Sequence, residues 1–109
     1  MVDHQFMVFI YMYIEKIYGE LQKMNICNSR NEFSTEYLGK DRNYMNICVN
    51  KRKDMSKDAL VNLYKQIEFR EMQWGMLADD NITGNQHYNF RKQQYEKLGT
   101  EVLEELLKK

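Results

Sequence analysis

Arginine, lysine and asparagine side chains, which can hydrogen-bond to bases and phosphates, are prominent in the middle third of this chain. Residues 29–67 contain eight basic and five acidic residues, whereas residues 1–28 and 68–109 are each slightly acidic and the whole chain is neutral. Amide and guanidinium groups match the donor and acceptor patterns of base edges, and ammonium groups neutralise phosphate. The neutral total excludes a strongly basic nucleic-acid binder but permits a local cationic face.

Other chemistries have no support in the residue patterns. There is no glycine-rich phosphate loop and no nucleophile arrangement of histidine with serine or cysteine. A calcium-like run begins at Asp79, but the twelfth position, where glutamate is required, is Phe90. The histidines and cysteines lack zinc-site spacing; they are His4, Cys27, Cys48 and His87. We therefore expect no catalytic residue, no metal site and no cofactor.

The elements that position the polar residues are predicted to be helices. The chain has no proline and only five glycines in 109 residues, which leaves little material for tight β-turns. Apolar residues at three- and four-residue intervals predict long helices over about 6–24, 57–77 and 86–107. Two short helices lie between the first two of these, over about 29–38 and 43–50, and a loop is predicted over 78–85. We predict an all-α, five-helix bundle in a single domain, 1–109.

Local signals mark the ends of the short helices. Ser29 and Glu32 form a capping box at the start of the first one, with Glu32 reaching back to Ser29. Gly39 stands where a left-handed residue would end that helix. Ser56 is the expected N-cap of the long helix that follows. The chain therefore turns sharply between residues 38 and 43.

The predicted core draws apolar residues from several helices: Ile14, Ile17, Leu21, Tyr37, Tyr44, Ile47, Leu60, Leu63 and Ile67. Phe6, Phe9 and Tyr13 give the first helix a second apolar face, which needs a partner. The last helix offers an apolar stripe for that role, made of Tyr95, Leu98, Val102 and Leu106. We expect the first and last helices to pack together or across a homodimer.

The apolar run from Phe6 to Ile14 is nine residues long, well short of the roughly 20 residues that span a membrane. No small-residue cleavage site follows it. Two cysteines cannot form a disulfide scaffold, which favours a reducing compartment. The chain is expected to be cytoplasmic, with no membrane partner.

The spacing around Gly39 is more specific than the number of helices. Tyr44 follows Gly39 by five residues and Asn46 by seven, and Ser56 comes ten residues after Asn46. This pattern resembles the Cro/repressor-type, lambda-repressor-like helix-turn-helix domain. The chain departs from that domain by one additional residue between Ser34 and Gly39, and it lacks the glycine that often follows the second helix.

The resemblance covers a helix-turn-helix core at 29–67 and leaves 68–109 as a C-terminal helical extension. It implies that residues 29–38 support a recognition helix at 42–50 in the major groove of DNA. By position, the residues expected at base edges are Arg42, Asn43 and Asn46. Those expected near phosphates are Arg30, Lys51, Arg52 and Lys53. Residues 15–68, with Tyr37-Leu38-Gly39 and Tyr44-Met45, also look like a group of small uncharacterised proteobacterial proteins.

Two functions are open at this point. The first is a small, homodimeric transcriptional regulator of Cro/repressor type that binds double-stranded DNA and is encoded by a phage or mobile element. The alternative is a non-enzymatic protein-interaction module, such as a phage-encoded inhibitor of a host factor, that keeps the helix-turn-helix shape. The cationic middle segment favours the regulator, and the neutral total charge favours the interaction module.

Overall fold

The computed structural model describes residues 12–80 and 86–108, and all regular structure within these ranges is helical. Helix α1 spans Tyr13–Lys23. Helix α2 begins as Arg30–Glu32 and continues as a π-helical segment, Phe33–Tyr37. Three further helices follow, namely α3 at Tyr44–Lys51, α4 at Lys57–Asp80 and α5 at Gln86–Leu107. The all-α prediction is confirmed. Of the predicted second apolar face, Phe6 and Phe9 lie outside the described residues and Tyr13 is the first residue of α1. The helix predicted over about 6–24 is wrong at Met12, whose backbone is extended. The loop predicted over 78–85 is wrong at residues 78–80, which belong to α4, and residues 81–85 lie outside the described ranges.

The chain divides into two compact units, Met1–Ser56 and Lys57–Lys109. The first contains α1, α2 and α3, and the second contains α4 and α5. Seven predicted core residues are fully buried, namely Ile14, Ile17, Leu21, Tyr37, Leu60, Leu63 and Ile67. The boundary between the units falls at Ser56, the predicted N-cap of α4. The single-domain organisation stays a prediction.

The core predicted in α3 is wrong at Tyr44 and Ile47, whereas the predicted burial of Cys48 is confirmed. Ile47 is 47% exposed and Tyr44 is only half-buried, whereas Met45 and Cys48 are buried. The reason is that the backbone N–H of Met45 donates to the buried hydroxyl of Ser34, at 3.0 Å, which turns this side of α3 toward α2. Cys48 lies one turn further along the same side. Ile47 consequently faces away from α2.

Helix α2 begins where the sequence predicts. The Ser29 hydroxyl accepts a hydrogen bond from the N–H of Glu32 at 3.1 Å, so Ser29 is the N-cap. The Glu32 carboxylate accepts from the N–H of Asn28, at 2.8 Å, instead of from Ser29 as predicted. Asn28 lies one residue before the N-cap Ser29, so this hydrogen bond joins the Glu32 side chain to the segment that precedes the helix.

The second half of α2 is wound more widely than an α-helix. The N–H of Leu38 donates to the carbonyl of Phe33, five residues back, at 3.0 Å. A π-helical turn holds more residues than an α-helical one, so it accommodates the additional residue between Ser34 and Gly39. Gly39 then adopts φ +64°, the left-handed conformation predicted for it.

Ser34 joins α2 to α3 through its buried hydroxyl. The hydroxyl donates to the carbonyl of Arg30 at 2.8 Å and accepts from the N–H of Met45 at 3.0 Å. The first N–H groups of a helix have no partner within the helix. Ser34 therefore acts as a cap for α3 from a neighbouring helix and sets the position of α3.

Replacing Ser34 by alanine is expected to lower the free energy of unfolding by about 1–3 kcal/mol, because the buried N–H of Met45 then loses its acceptor. Urea unfolding followed by circular dichroism measures this. Thr35→Ala is the matched control, since the Thr35 hydroxyl is exposed and bonds only to carbonyls of its own helix. The control is expected to change stability by less than about 0.5 kcal/mol. Equal effects of the two substitutions would contradict the capping role of Ser34.

The segment after α3 is attached to the start of α1. The carboxylate of Asp54 accepts hydrogen bonds from the N–H groups of Tyr13 and Ile14, each at 3.0 Å, and from the N–H of Met55 at 2.8 Å. A negative charge at a helix N-terminus is favourable and satisfies its unpaired donors. Asp54 thus holds residues 52–56 in place beside α3.

The second unit is an antiparallel pair of helices. Gly75 of α4 lies against Lys92 of α5, and Ile67 lies against Gly99. Of the stripe predicted on the last helix, Tyr95, Leu98 and Val102 are buried within the chain. These three side chains therefore do not form an exposed dimer surface, and the homodimer itself stays a prediction.

Candidate nucleic-acid interface

The solvent-facing side of α3 carries two amides with an aliphatic side chain between them. Asn43, Ile47 and Asn50 follow one another at intervals of four and three residues, and so share one helical face. Asn43 and Asn50 are exposed, as is Arg42 just before the helix. Amides can hydrogen-bond to base edges, and an aliphatic group can contact the methyl group of thymine.

One edge of this face is formed by a contact between α2 and α3. The guanidinium of Arg30 donates from Nη1 to Oδ1 of Asn46 at 3.0 Å. Arg30 is exposed and Asn46 is half-buried. The structure thus brings together a predicted phosphate contact, Arg30, and a predicted base contact, Asn46, which lie 16 residues apart in the sequence.

The other edge of α3 is a cationic groove of about 350 Å³. Its lining residues are Lys40, Tyr44, Ile47, Cys48, Lys51, Lys53, Asp54 and Ser56. The ammonium group of Lys40 lies 5.9 Å from the centre of the Tyr44 ring. The acidic member, Asp54, already accepts three backbone hydrogen bonds. The groove therefore combines an apolar floor with three ammonium groups, a composition suited to a phosphate and its sugar.

Helix α3 ends without a glycine. Arg52 takes the left-handed conformation, φ +52°, and the N–H of Lys53 donates to the carbonyl of Cys48 at 2.9 Å. A left-handed conformation is unfavourable for a residue with a side chain and is therefore uncommon outside glycine. Arg52, an exposed cation, thus occupies a left-handed backbone position that glycine would adopt with less steric strain.

A family model matches residues 14–107 of the chain, which is most of its length and extends over both units. The chain belongs to a family of unknown function (DUF6626). No curated protein and no solved structure matches it.

Two residues of this candidate interface, Lys40 and Ile47, were not predicted from the sequence of this DUF6626 chain. Lys40 follows Gly39 and was predicted to lie in a connection, although the charge pattern could have marked it as one more cation close to α3. Ile47 was assigned to the core because it is aliphatic. The remaining predicted residues, Arg42, Asn43 and Arg52, are exposed around α3.

The cysteines of the DUF6626 chain are free and buried. Burial raises the pKa of the Cys27 thiol to about 12, and the thiol donates to the carbonyl of Ser29 at 3.5 Å. A protonated, buried thiol is a poor nucleophile and metal ligand. Within the described ranges, no three histidine, cysteine, aspartate or glutamate residues are grouped to hold a metal ion.

The second unit contains a smaller pocket of opposite charge. It measures about 110 Å³ and lies between α4 and α5, where Glu68, Glu71 and Glu96 line it. Burial, together with the nearby carboxylates of Glu96 and Glu68, raises the pKa of Glu71. Carboxylates repel phosphate, so this pocket lacks the phosphate-compatible charge of the groove beside α3. In the part of the chain that is described, no helix has the length and apolar character to cross a membrane.

Proposed function

We propose that this protein binds double-stranded DNA through the first unit, as a non-enzymatic, cytoplasmic transcriptional regulator resembling the Cro/repressor class. Helix α2, the turn at Gly39 and helix α3 would act as its helix-turn-helix. The observation that supports the proposal is the distribution of charge around α3. Cations lie on both edges, and the exposed face between them carries groups that recognise base edges.

Positive charge on both edges of α3 suits a helix inserted in the major groove of DNA, which is bordered by negatively charged phosphate backbones. An α-helix is about 10–12 Å in diameter with its side chains, and the major groove of DNA is about 12 Å wide. A helix that enters the groove therefore has a phosphate backbone on each side. Arg30 supplies positive charge at one edge of α3, and Lys40, Lys51 and Lys53 supply it at the other.

The proposal predicts measurable binding to any DNA duplex at low ionic strength. Fluorescence anisotropy of a labelled duplex of mixed sequence, titrated with the full chain at about 20–50 mM salt, is expected to show saturable binding that weakens as salt is added. On the preferred duplex, Arg42→Ala or Asn43→Ala is expected to cost about 1–3 kcal/mol of binding free energy, with little change on mixed sequence. Absence of binding to every duplex at low salt would refute the proposal.

A homodimer is part of the proposal, because paired half-sites about 34 Å apart are typical of helix-turn-helix regulators. The surface that we assign to the second copy is the stripe Phe69, Met72 and Met76 on α4. Each of these side chains is at least 50% exposed, and their spacing places them on one helical face. A nuclease footprint on the preferred duplex is expected to cover two such half-sites.

The alternative function is a protein-interaction module, and the same stripe favours it. Clustered exposed apolar side chains mark interaction surfaces in water-soluble proteins. If the chain binds no duplex at low ionic strength, we expect the α4 stripe and the exposed face of α3 to bind another protein, such as a host factor. Loss of partner binding in Met72→Lys would then support this second function.

A further inference from the structure

We infer that Arg30 and Asn46 act as one recognition unit that selects guanine, an inference that rests on the proposed DNA-binding function. Arg30 is the first residue of α2, and Asn46 lies 16 residues later on α3. Their side chains are joined by the hydrogen bond from Nη1 to Oδ1 at 3.0 Å. Both lie beside the exposed face of α3, so a base that meets Asn46 also meets the guanidinium.

The hydrogen bond determines which way the Asn46 amide points. A guanidinium has only N–H donors, and the oxygen is the only acceptor of an asparagine amide. The oxygen of Asn46 must therefore face Arg30, and a reversed amide would place two donors against each other. The amide nitrogen, with its two donors, is left for a ligand.

The pair accordingly presents donors to a base. An asparagine that reads adenine must accept from the adenine amino group while donating to N7. Here the acceptor oxygen is engaged by a cation, and the positive charge of Arg30 opposes an approaching amino group. Guanine presents two acceptors, N7 and O6, in the major groove. Donors from Asn46 and Arg30 match that edge, so the unit favours guanine over adenine.

The experiment measures base preference at one position of the site. A preferred duplex is first selected, and each base pair in it is then varied. The position of interest is the one at which the Asn46→Ala variant binds duplexes carrying each of the four base pairs with equal affinity. The wild-type chain is expected to favour guanine over adenine there by at least about fivefold. Arg30→Met removes the guanidinium but keeps an unbranched apolar side chain. This variant is expected to lose the guanine preference or to shift it to adenine, since the Asn46 oxygen is released.

Lys51→Met is the charge-matched control for Arg30→Met. It also removes one positive charge beside α3, so it is expected to weaken binding to all duplexes while keeping the guanine preference. Circular dichroism of both variants checks that the helices are intact. Three results would overturn the recognition unit without affecting the proposal of DNA binding. They are a preference for adenine in the wild-type chain, the lack of any base position that depends on Asn46, and an unchanged guanine preference in Arg30→Met. Failure of the wild-type chain to bind any duplex at low salt would overturn the proposed function as well.

Discussion

Leu63→Ala is expected to lower the free energy of unfolding by about 2–5 kcal/mol, the usual range for truncating a buried leucine. Leu63 is fully buried on α4, and the substitution removes its contacts and leaves a cavity. A total stability of roughly 5–15 kcal/mol is typical of natural domains, so the loss is a large fraction of the whole. The thermal transition should fall by about 10 °C or more, at roughly 4–8 °C per kcal/mol for a small domain.

Leu107→Ala is the control for this substitution. Leu107 lies at the end of α5 and is 79% exposed, so the same chemical change there is expected to alter stability by less than about 0.5 kcal/mol. Thermal and urea unfolding, followed by circular dichroism, compare the two variants with the wild-type chain. If Leu63→Ala melts together with the wild type, the side of α4 that faces the interior has been assigned incorrectly.

Replacing Lys40, Lys51 and Lys53 together by glutamine is expected to give the largest effect on DNA binding. If each lysine neutralises one phosphate, the slope of log K against log salt becomes shallower by about 0.9 for each lysine, or about 2.7 in total. At about 50 mM salt, the same counterion arithmetic, taken relative to 1 M salt, predicts a loss of affinity of roughly 3 × 10³ for every duplex. Anisotropy titrations over a salt series measure both quantities.

The control for the groove substitutions removes the same number of positive charges from positions outside the groove. Lys16, Lys23 and Lys97 are exposed lysines on α1 and α5, and none of them lines the groove. Their joint replacement by glutamine is expected to leave the salt slope nearly unchanged. If both triple variants reduce the slope equally, binding depends on total charge, and the groove beside α3 has no specific role.

The locations of the helices and several of their ends were predictable from sequence because the signals are local. Ser29 caps α2 through the N–H of Glu32, three residues away, and Gly39 adopts the left-handed conformation because it has no side chain. The last helix begins and ends as its apolar periodicity predicts, at Gln86 and Leu107. Such features depend on backbone geometry within about one helical turn, which residue types encode directly.

The side of α3 that is buried was decided by a contact distant in sequence. Tyr44, Met45, Ile47 and Cys48 are all apolar enough to pack inside, and their spacing does not choose among them. The Ser34 hydroxyl, 11 residues before Met45, bonds to the first turn of α3 and thereby selects Met45 and Cys48. Ile47 is consequently exposed on the face where the candidate interface lies.

Composition, periodicity and local capping are sufficient to predict an all-α chain with a tight turn at Gly39 and a cationic middle segment. Only the tertiary structure placed Lys40 in one groove with Lys51 and Lys53, and Arg30 against Asn46. It also attached Asp54 to the start of α1, about 40 residues earlier in the chain. These pairings depend on how the helices of the first unit pack together. Residue spacing carries no direct information on that packing, because many arrangements bury the same apolar residues.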